Sequence, residues 1–131
     1  MTIRDGARVN IYGGTIYGKI TNSGNNSNFV ISGSSKIVYN DTASGLTANN
    51  LRINGISPTL KNLTADAKIG FFYEGDPAGT EIKVATLVDC DDVTMDQFGI
   101  SVYFADKGDR TFGLKRVGNE LFLYETTPVA P

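Results

Sequence analysis

Three short segments of this chain share one pattern: Val9-Asn10-Ile11-Tyr12-Gly13, Phe29-Val30-Ile31-Ser32-Gly33 and Leu51-Arg52-Ile53-Asn54-Gly55. Each reads apolar, any, Ile, any, Gly. The isoleucines fall at 11, 31 and 53, in steps of 20 and 22 residues, and a further apolar point follows each block at Ile16, Ile37 and Ile56. A period of that length is about one coil of a stacked β architecture. Alternate side chains of a strand point to opposite faces, so one coil offers a short apolar face that only a neighbouring coil can bury. Val9 and Ile11 are therefore expected to stack on Phe29 (or Val30) and Ile31, and those on Leu51 and Ile53. The glycine closing each block allows positive φ where the chain turns. Asparagine tolerates the same region, which suits the Asn-rich stretches between blocks, such as Thr21 to Asn28.

The rest of the chain also reads as strands. Phe98, Ile100, Val102 and Phe104 alternate with Gly99, Ser101 and Tyr103 in the manner of a half-buried strand. Ile69–Tyr73 and Ile82–Val88 are two further apolar runs. Gly118-Asn119 separates Thr111–Val117 from Glu120–Tyr124, a two-residue hairpin signal that sets Leu114 opposite Leu123. No segment carries helical periodicity. Short strands with turns between them are equally the pattern of an antiparallel sandwich, so periodicity alone leaves both architectures open.

Charge divides the chain near residue 65. Before it lie six basic residues and only Asp5 and Asp41, a formal +4; the whole chain is −2, which leaves −6 for the remainder. The small net charge gives no reason to expect nucleic acid or an anionic membrane as a partner. No apolar run is long enough to span a membrane. Met1-Thr-Ile-Arg-Asp-Gly runs straight into the first repeat without a basic-then-apolar leader, which reads as a segment cut from a longer protein.

The chain has no histidine and one cysteine. Ser-His-Asp and Cys-His catalysis and His-containing zinc sites are thereby excluded, and no internal disulfide can form. Cys90 is expected to be a small buried apolar residue. Asp89, Asp91, Asp92 and Asp96 form the densest carboxylate cluster and are the weak candidates for a calcium site, against a plain solvated acidic loop. Glycoside hydrolysis needs two carboxylates across a cleft, and the repeat region has only Asp5 and Asp41. A lyase would pair acids with a basic residue; Arg52 lies on a repeat strand with no acid near it in sequence. Tyr12, Tyr17 and Tyr39 are candidates for a platform on which sugar rings stack, although 12 and 39 are not one period apart.

The run Val9-Asn10-Ile11-Tyr12-Gly13-Gly14-Thr15-Ile16-Tyr17-Gly18 resembles the Gly-Gly-Thr-Ile repeat of bacterial cell-surface proteins built as right-handed parallel β-helices, an adhesin-like group with a pectate-lyase-like fold. Tyr17-Gly18-Lys19 departs from the Ser-Gly-Asn type of corner usual there. Asn50-Leu51-Arg52-Ile53, then Leu60–Ala67 and Lys68-Ile69-Gly70, is similar to the last coil and exit of such arrays, and Gly118–Leu123 to the hairpin that closes them. Residues 74–97 have no counterpart. The resemblance implies an all-β chain: a short right-handed parallel β-helix of about three coils over residues 1–65, closed by a strand-rich cap with a terminal hairpin over 66–125, and a disordered tail over 126–131. It implies a non-catalytic structural or adhesive module of the cell surface or extracellular space, with no cofactor, and a host or cell-surface glycan or protein as partner. The alternatives are a fragment of a carbohydrate-active β-helix protein, lyase or hydrolase, and a phage tail-fibre segment.

Overall fold

The computed structural model describes residues 2–3, 8–16, 20–22, 28–37, 39–41, 46–48, 51–53, 57–77 and 79–126. The early strands are short: β1 (Thr2–Ile3), β2 (Arg8–Ile11), β3 (Thr15–Ile16), β4 (Ile20–Asn22), β5 (Asn28–Gly33), β6 (Lys36–Ile37), β7 (Tyr39–Asp41), β8 (Leu46–Ala48) and β9 (Leu51–Arg52). Later strands are longer: β10 (Thr59–Leu63), β11 (Lys68–Glu74), β12 (Ile82–Val88), β13 (Phe98–Tyr103), β14 (Phe112–Val117) and β15 (Glu120–Glu125). The helical element among the described residues is a single 3-10 turn, Met95–Gln97, and no helix there is long and apolar enough to cross a membrane. The described chain is all-β.

Two sheets carry the core. In sheet I, β2, β5, β10 and β12 pair in parallel, and the antiparallel β15 and β14 follow in that order. In sheet II, β11 is central. Along one edge it pairs with β6 at its start and β9 further on; along the other it pairs with β13, all in parallel. Parallel pairing also joins β3 to β6, β4 to β9 and β1 to β4. A separate antiparallel pair, β7–β8, sets Asn40 opposite Thr47.

Register turns this pairing into rows of apolar residues. Ile11, Ile31, Leu60 and Leu87 are successive Cα partners across sheet I. Across sheet II, Ile16, Ile37, Ile69 and Phe98 form one row, and Ile20, Leu51, Phe71 and Ile100 another. A one-residue slip would turn a whole strand inside out, so the repeat of apolar residues fixes the register. Ile31, Ile37, Leu60, Ile69 and Phe71 are fully enclosed, and the inner faces of both sheets meet in one hydrophobic cluster.

The first two repeats pair as expected, Val9 with Phe29 and Ile11 with Ile31. The third does not. Leu51 and Arg52 belong to sheet II, and Leu60 takes the place on Ile31 that the repeat assigned to Ile53. The cause is the β7–β8 pair, which follows β6 and delays the return to sheet I. Ile53 is still buried, and its N–H donates to Phe72 O at 3.0 Å. Ile56 lies outside the described residues.

Parallel pairing is continuous across residue 65. The strand before it, β10, lies between β5 and β12, and the strand after it, β11, lies between β6/β9 and β13. Within the two core sheets antiparallel order begins with the final hairpin, where Leu114 faces Leu123 as the Gly118-Asn119 signal predicts. Gly118 takes φ 59 and Asn119 keeps negative φ, so the turn has glycine's conformation at its first central position alone. Thr126, expected to open a loose tail, is held: its N–H donates to Thr111 O at 2.8 Å. Residues 127–131 of that expected tail lie outside the described residues.

Positive φ recurs where sheet I strands end. Gly33 (φ 68), Asn62 (φ 50) and Asp89 (φ 52) each stand two residues past Ile31, Leu60 and Leu87. The step is met at Gly33 by glycine, and at the other two by residues whose short polar side chains tolerate the left-handed region. After these corners the backbone bonds to the preceding strand's corner: Lys36 N–H to Gly14 O (2.8 Å), Thr64 N–H to Gly33 O (3.0 Å) and Lys68 N–H to Ser35 O (3.0 Å).

Candidate binding groove

Alternation along β2, β5 and β10 sends Ile11, Phe29, Ile31 and Leu60 inward and leaves Asn10, Tyr12, Val30, Ser32 and Lys61 on the outer face. Parallel register brings the outer set together. Asn10 and Val30 are Cα partners, as are Ser32 and Lys61. The register of β10 against β5 shifts between Lys61 and Leu63, so Asn62 is an extra residue in the strand. Bulges of this kind re-aim a side chain. The outcome is a shallow groove of about 420 Å³ lined by Asn10, Tyr12, Val30, Ser32, Gly33, Lys61 and Asn62. Tyr12 stands over it with 75% of its surface exposed.

The lining offers two carboxamides, a hydroxyl, a phenol, one ammonium and one free aromatic face. None of its residues is a carboxylate. The groove therefore holds groups that bind hydroxylated ligands, and its lining has no acid/base pair for glycosidic cleavage.

The four candidate aspartates sit elsewhere. Asp89 occupies the corner after β12, Asp91 and Asp92 the turn beyond it, and Asp96 the 3-10 turn, where it accepts from the Thr94 hydroxyl. All four are exposed. Among the described residues no group of three or more His, Cys, Asp and Glu side chains is placed to hold a metal ion. Cys90 is buried beside them, with Sγ 3.2 Å from Leu60 O.

Of the sugar-platform tyrosines, Tyr12 lines the groove. Tyr39 pairs with Ala48 in β7–β8, and Tyr17 lies outside the described residues. Asp5 lies outside them too. Arg52 pairs with Glu74 at 3.3 Å, a partner 22 residues away in sequence. Lys61 and Asn62 fall in a strand that carries no copy of the repeat, so pattern reading had no signal for them. Asn10 lay inside the repeat as an unassigned position.

Two polar residues of structural weight were also missed. The buried Gln97 side chain donates from Nε2 to Thr64 O and Ala67 O, both at 2.9 Å, and accepts from Thr94 N–H at 2.8 Å. Arg110 lies between two carboxylates, with bonds of 2.8 and 3.0 Å to Glu125 and of 2.9 and 3.0 Å to Asp76. Bonding to Glu125 first, then to Asp76, raises the guanidinium pKa above its already high ordinary value. Its guanidinium carbon also lies 5.1 Å from the ring centre of Phe104 and 5.6 Å from that of Phe112.

No protein-family model, no curated protein and no solved structure matches the chain.

Proposed function

We propose that this chain is a non-catalytic structural and adhesive module, a short parallel β-helix closed by its C-terminal hairpin and displayed at the cell surface. The observation that carries this reading is the row Ile11, Ile31, Leu60, Leu87, one inward-facing position repeated through four parallel strands and ended by antiparallel β15. Each strand in such a row gains its stability from its nearest neighbours, which makes a stiff one-dimensional stack. An uncovered edge on β12 would recruit further parallel strands, and the hairpin laid antiparallel on it occupies that edge. On this reading the coils continue through β13 and the closing element is β14–β15, a later boundary than residue 65. Rigid presentation of the outer face is the mechanism, and the groove at Tyr12 is the adhesive part of that face.

The test joins location to chemistry. Antibodies raised against the chain should label intact cells of its source, and the purified chain should release no reducing ends or unsaturated sugars from a panel of polysaccharides. Depolymerisation by the purified chain would move it to the carbohydrate-active class. A trimer by sedimentation would favour a fibre segment.

A further inference from the structure

Strand pairing sets three lysines, Lys36, Lys61 and Lys68, around one corner. Lys36 and Lys68 are Cα partners in β6 and β11, so two ammonium-bearing side chains stand in neighbouring strands. Like charges directly opposite one another repel. Both residues are exposed, and among the described residues neither makes a salt bridge. The same is true of Lys61 in the groove. Arg52, Lys83, Arg110 and Lys115, by contrast, each meet a carboxylate. Gly33 precedes Lys36 by three residues and Asn62 precedes Lys68 by six, so the groove and the lysine pair flank the same turn from sheet I into sheet II.

An exposed aromatic face packs against the C–H face of a pyranose ring, and carboxamides bond its hydroxyls. Three exposed ammonium groups with no salt bridge among the described residues call for negative charge. We propose that the corner binds an anionic saccharide: one ring lies on Tyr12 and bonds Asn10 and Asn62, and the carboxylate or sulfate groups it carries are met by Lys61, Lys36 and Lys68. The inference rests on the adhesive part of the function proposed above and names its ligand class.

Fluorescence anisotropy of the intact chain with labelled oligosaccharides tests it. Chondroitin sulfate carries both anions, hyaluronan carboxylates alone and dextran neither. The expected result is binding to one or both charged sugars and none to dextran, weakening as salt rises. Binding of hyaluronan makes a carboxylate sufficient, and binding of chondroitin sulfate alone makes sulfate the required group. Tyr12→Ala should weaken binding about fivefold or more with its salt dependence kept. The double variant Lys36→Gln/Lys68→Gln should weaken it and flatten that dependence. Arg116→Gln, on β14, should change nothing.

Amide shift mapping on the unaltered chain makes the answer independent of any variant's folding. The expected shifts fall at Asn10, Tyr12, Gly33, Lys36, Lys61, Asn62 and Lys68; shifts confined to other residues overturn the site. Absence of binding, equal binding of dextran, equal binding of single-stranded DNA, or lysine dependence with no effect at Tyr12 each overturns the proposal. Hydrogen exchange on the same sample separates the two readings. Protected amides in β5, β10 and β12 with no sugar bound overturn the ligand alone, whereas unprotected amides there overturn the stacked scaffold.

Discussion

Asp76 and Arg110, 34 residues apart in sequence, meet in a parallel two-bond fork, Oδ2 to Nη1 at 3.0 Å and Oδ1 to Nη2 at 2.9 Å. Arg110 also grips Glu125, so one guanidinium ties the loop after β11, the approach to β14 and the end of β15. Planar bidentate geometry is what lysine cannot reproduce. Arg110→Lys should therefore lower the unfolding midpoint, and Arg110→Ala should lower it further because the contacts with Phe104 and Phe112 go as well. The guanidinium pKa is raised on folding, so its contribution is complete below the ordinary arginine range and is lost only as pH rises through the raised value. Thermal melts at several neutral pH values should show the same wild-type-to-variant gap. A gap that changes across that range would break the assignment.

Gln97 should prove more costly to alter than its place in a surface turn implies. Its amide serves Thr64 O, Ala67 O and Thr94 N–H at once, and the side chain is buried. Removing one partner leaves buried groups unsatisfied, at about 1–3 kcal/mol for each such group that water cannot reach. Gln97→Ala should cost about 2–4 kcal/mol, read from the urea midpoint at constant slope. Gln97→Glu should cost at least as much, because a carboxylate cannot donate to the two carbonyls. A loss within experimental error for both would mean that water replaces the amide.

Much of this was legible in the residues and some was not. The pairing of Val9 with Phe29 and Ile11 with Ile31, and of Leu114 with Leu123, followed from apolar spacing and a turn dipeptide, both local signals. Leu51 was misplaced because a repeat counts residues and takes no account of an excursion such as β7–β8, after which the chain resumed in sheet II. The groove depends on which outer residues register side by side, and the bulge at Asn62 that shapes it has no sequence signature. Gln97 reaches Thr64 and Ala67, and Arg110 reaches Asp76, each 30 or more residues away and beyond any local pattern.

The corner residues separate backbone need from side-chain identity. At Gly33 an added Cβ would overlap Tyr12 O, and φ is 68. Gly33→Ala should thus be destabilising by about 2 kcal/mol or more, from left-handed strain of about 1–2 kcal/mol plus the clash. Asn62→Gly and Asp89→Gly should stay within about 1 kcal/mol of the parent, since relief of the left-handed conformation offsets the freer unfolded chain. Asn62→Val, with a β-branched residue at φ 50, should be the worst change at that position. Chemical denaturation of the four variants gives the order. If Asn62→Gly is as damaging as Asn62→Val, the asparagine side chain matters there and the backbone does not.

The apolar rows predict a gradient. Ile31 and Leu60 are wholly enclosed between neighbours in sheet I, while Ile11, the first member of their row, is only half-buried in β2. Truncation of an enclosed Leu or Ile costs about 2–5 kcal/mol, from lost transfer energy and the cavity left behind. Leu60→Ala and Ile31→Ala should fall in that range, and Ile11→Ala clearly below it, because part of its side chain already meets water. Leu51→Ala should match Leu60→Ala although the two occupy different sheets, since each is enclosed at the centre of its row. The repeat alone ranks these residues differently: it makes Ile11, Ile31 and Ile53 equivalent and gives Leu60 no part. Equal losses at Ile11 and Ile31, with a small one at Leu60, would restore the repeat as the true stacking order and remove the row from which the fold is read.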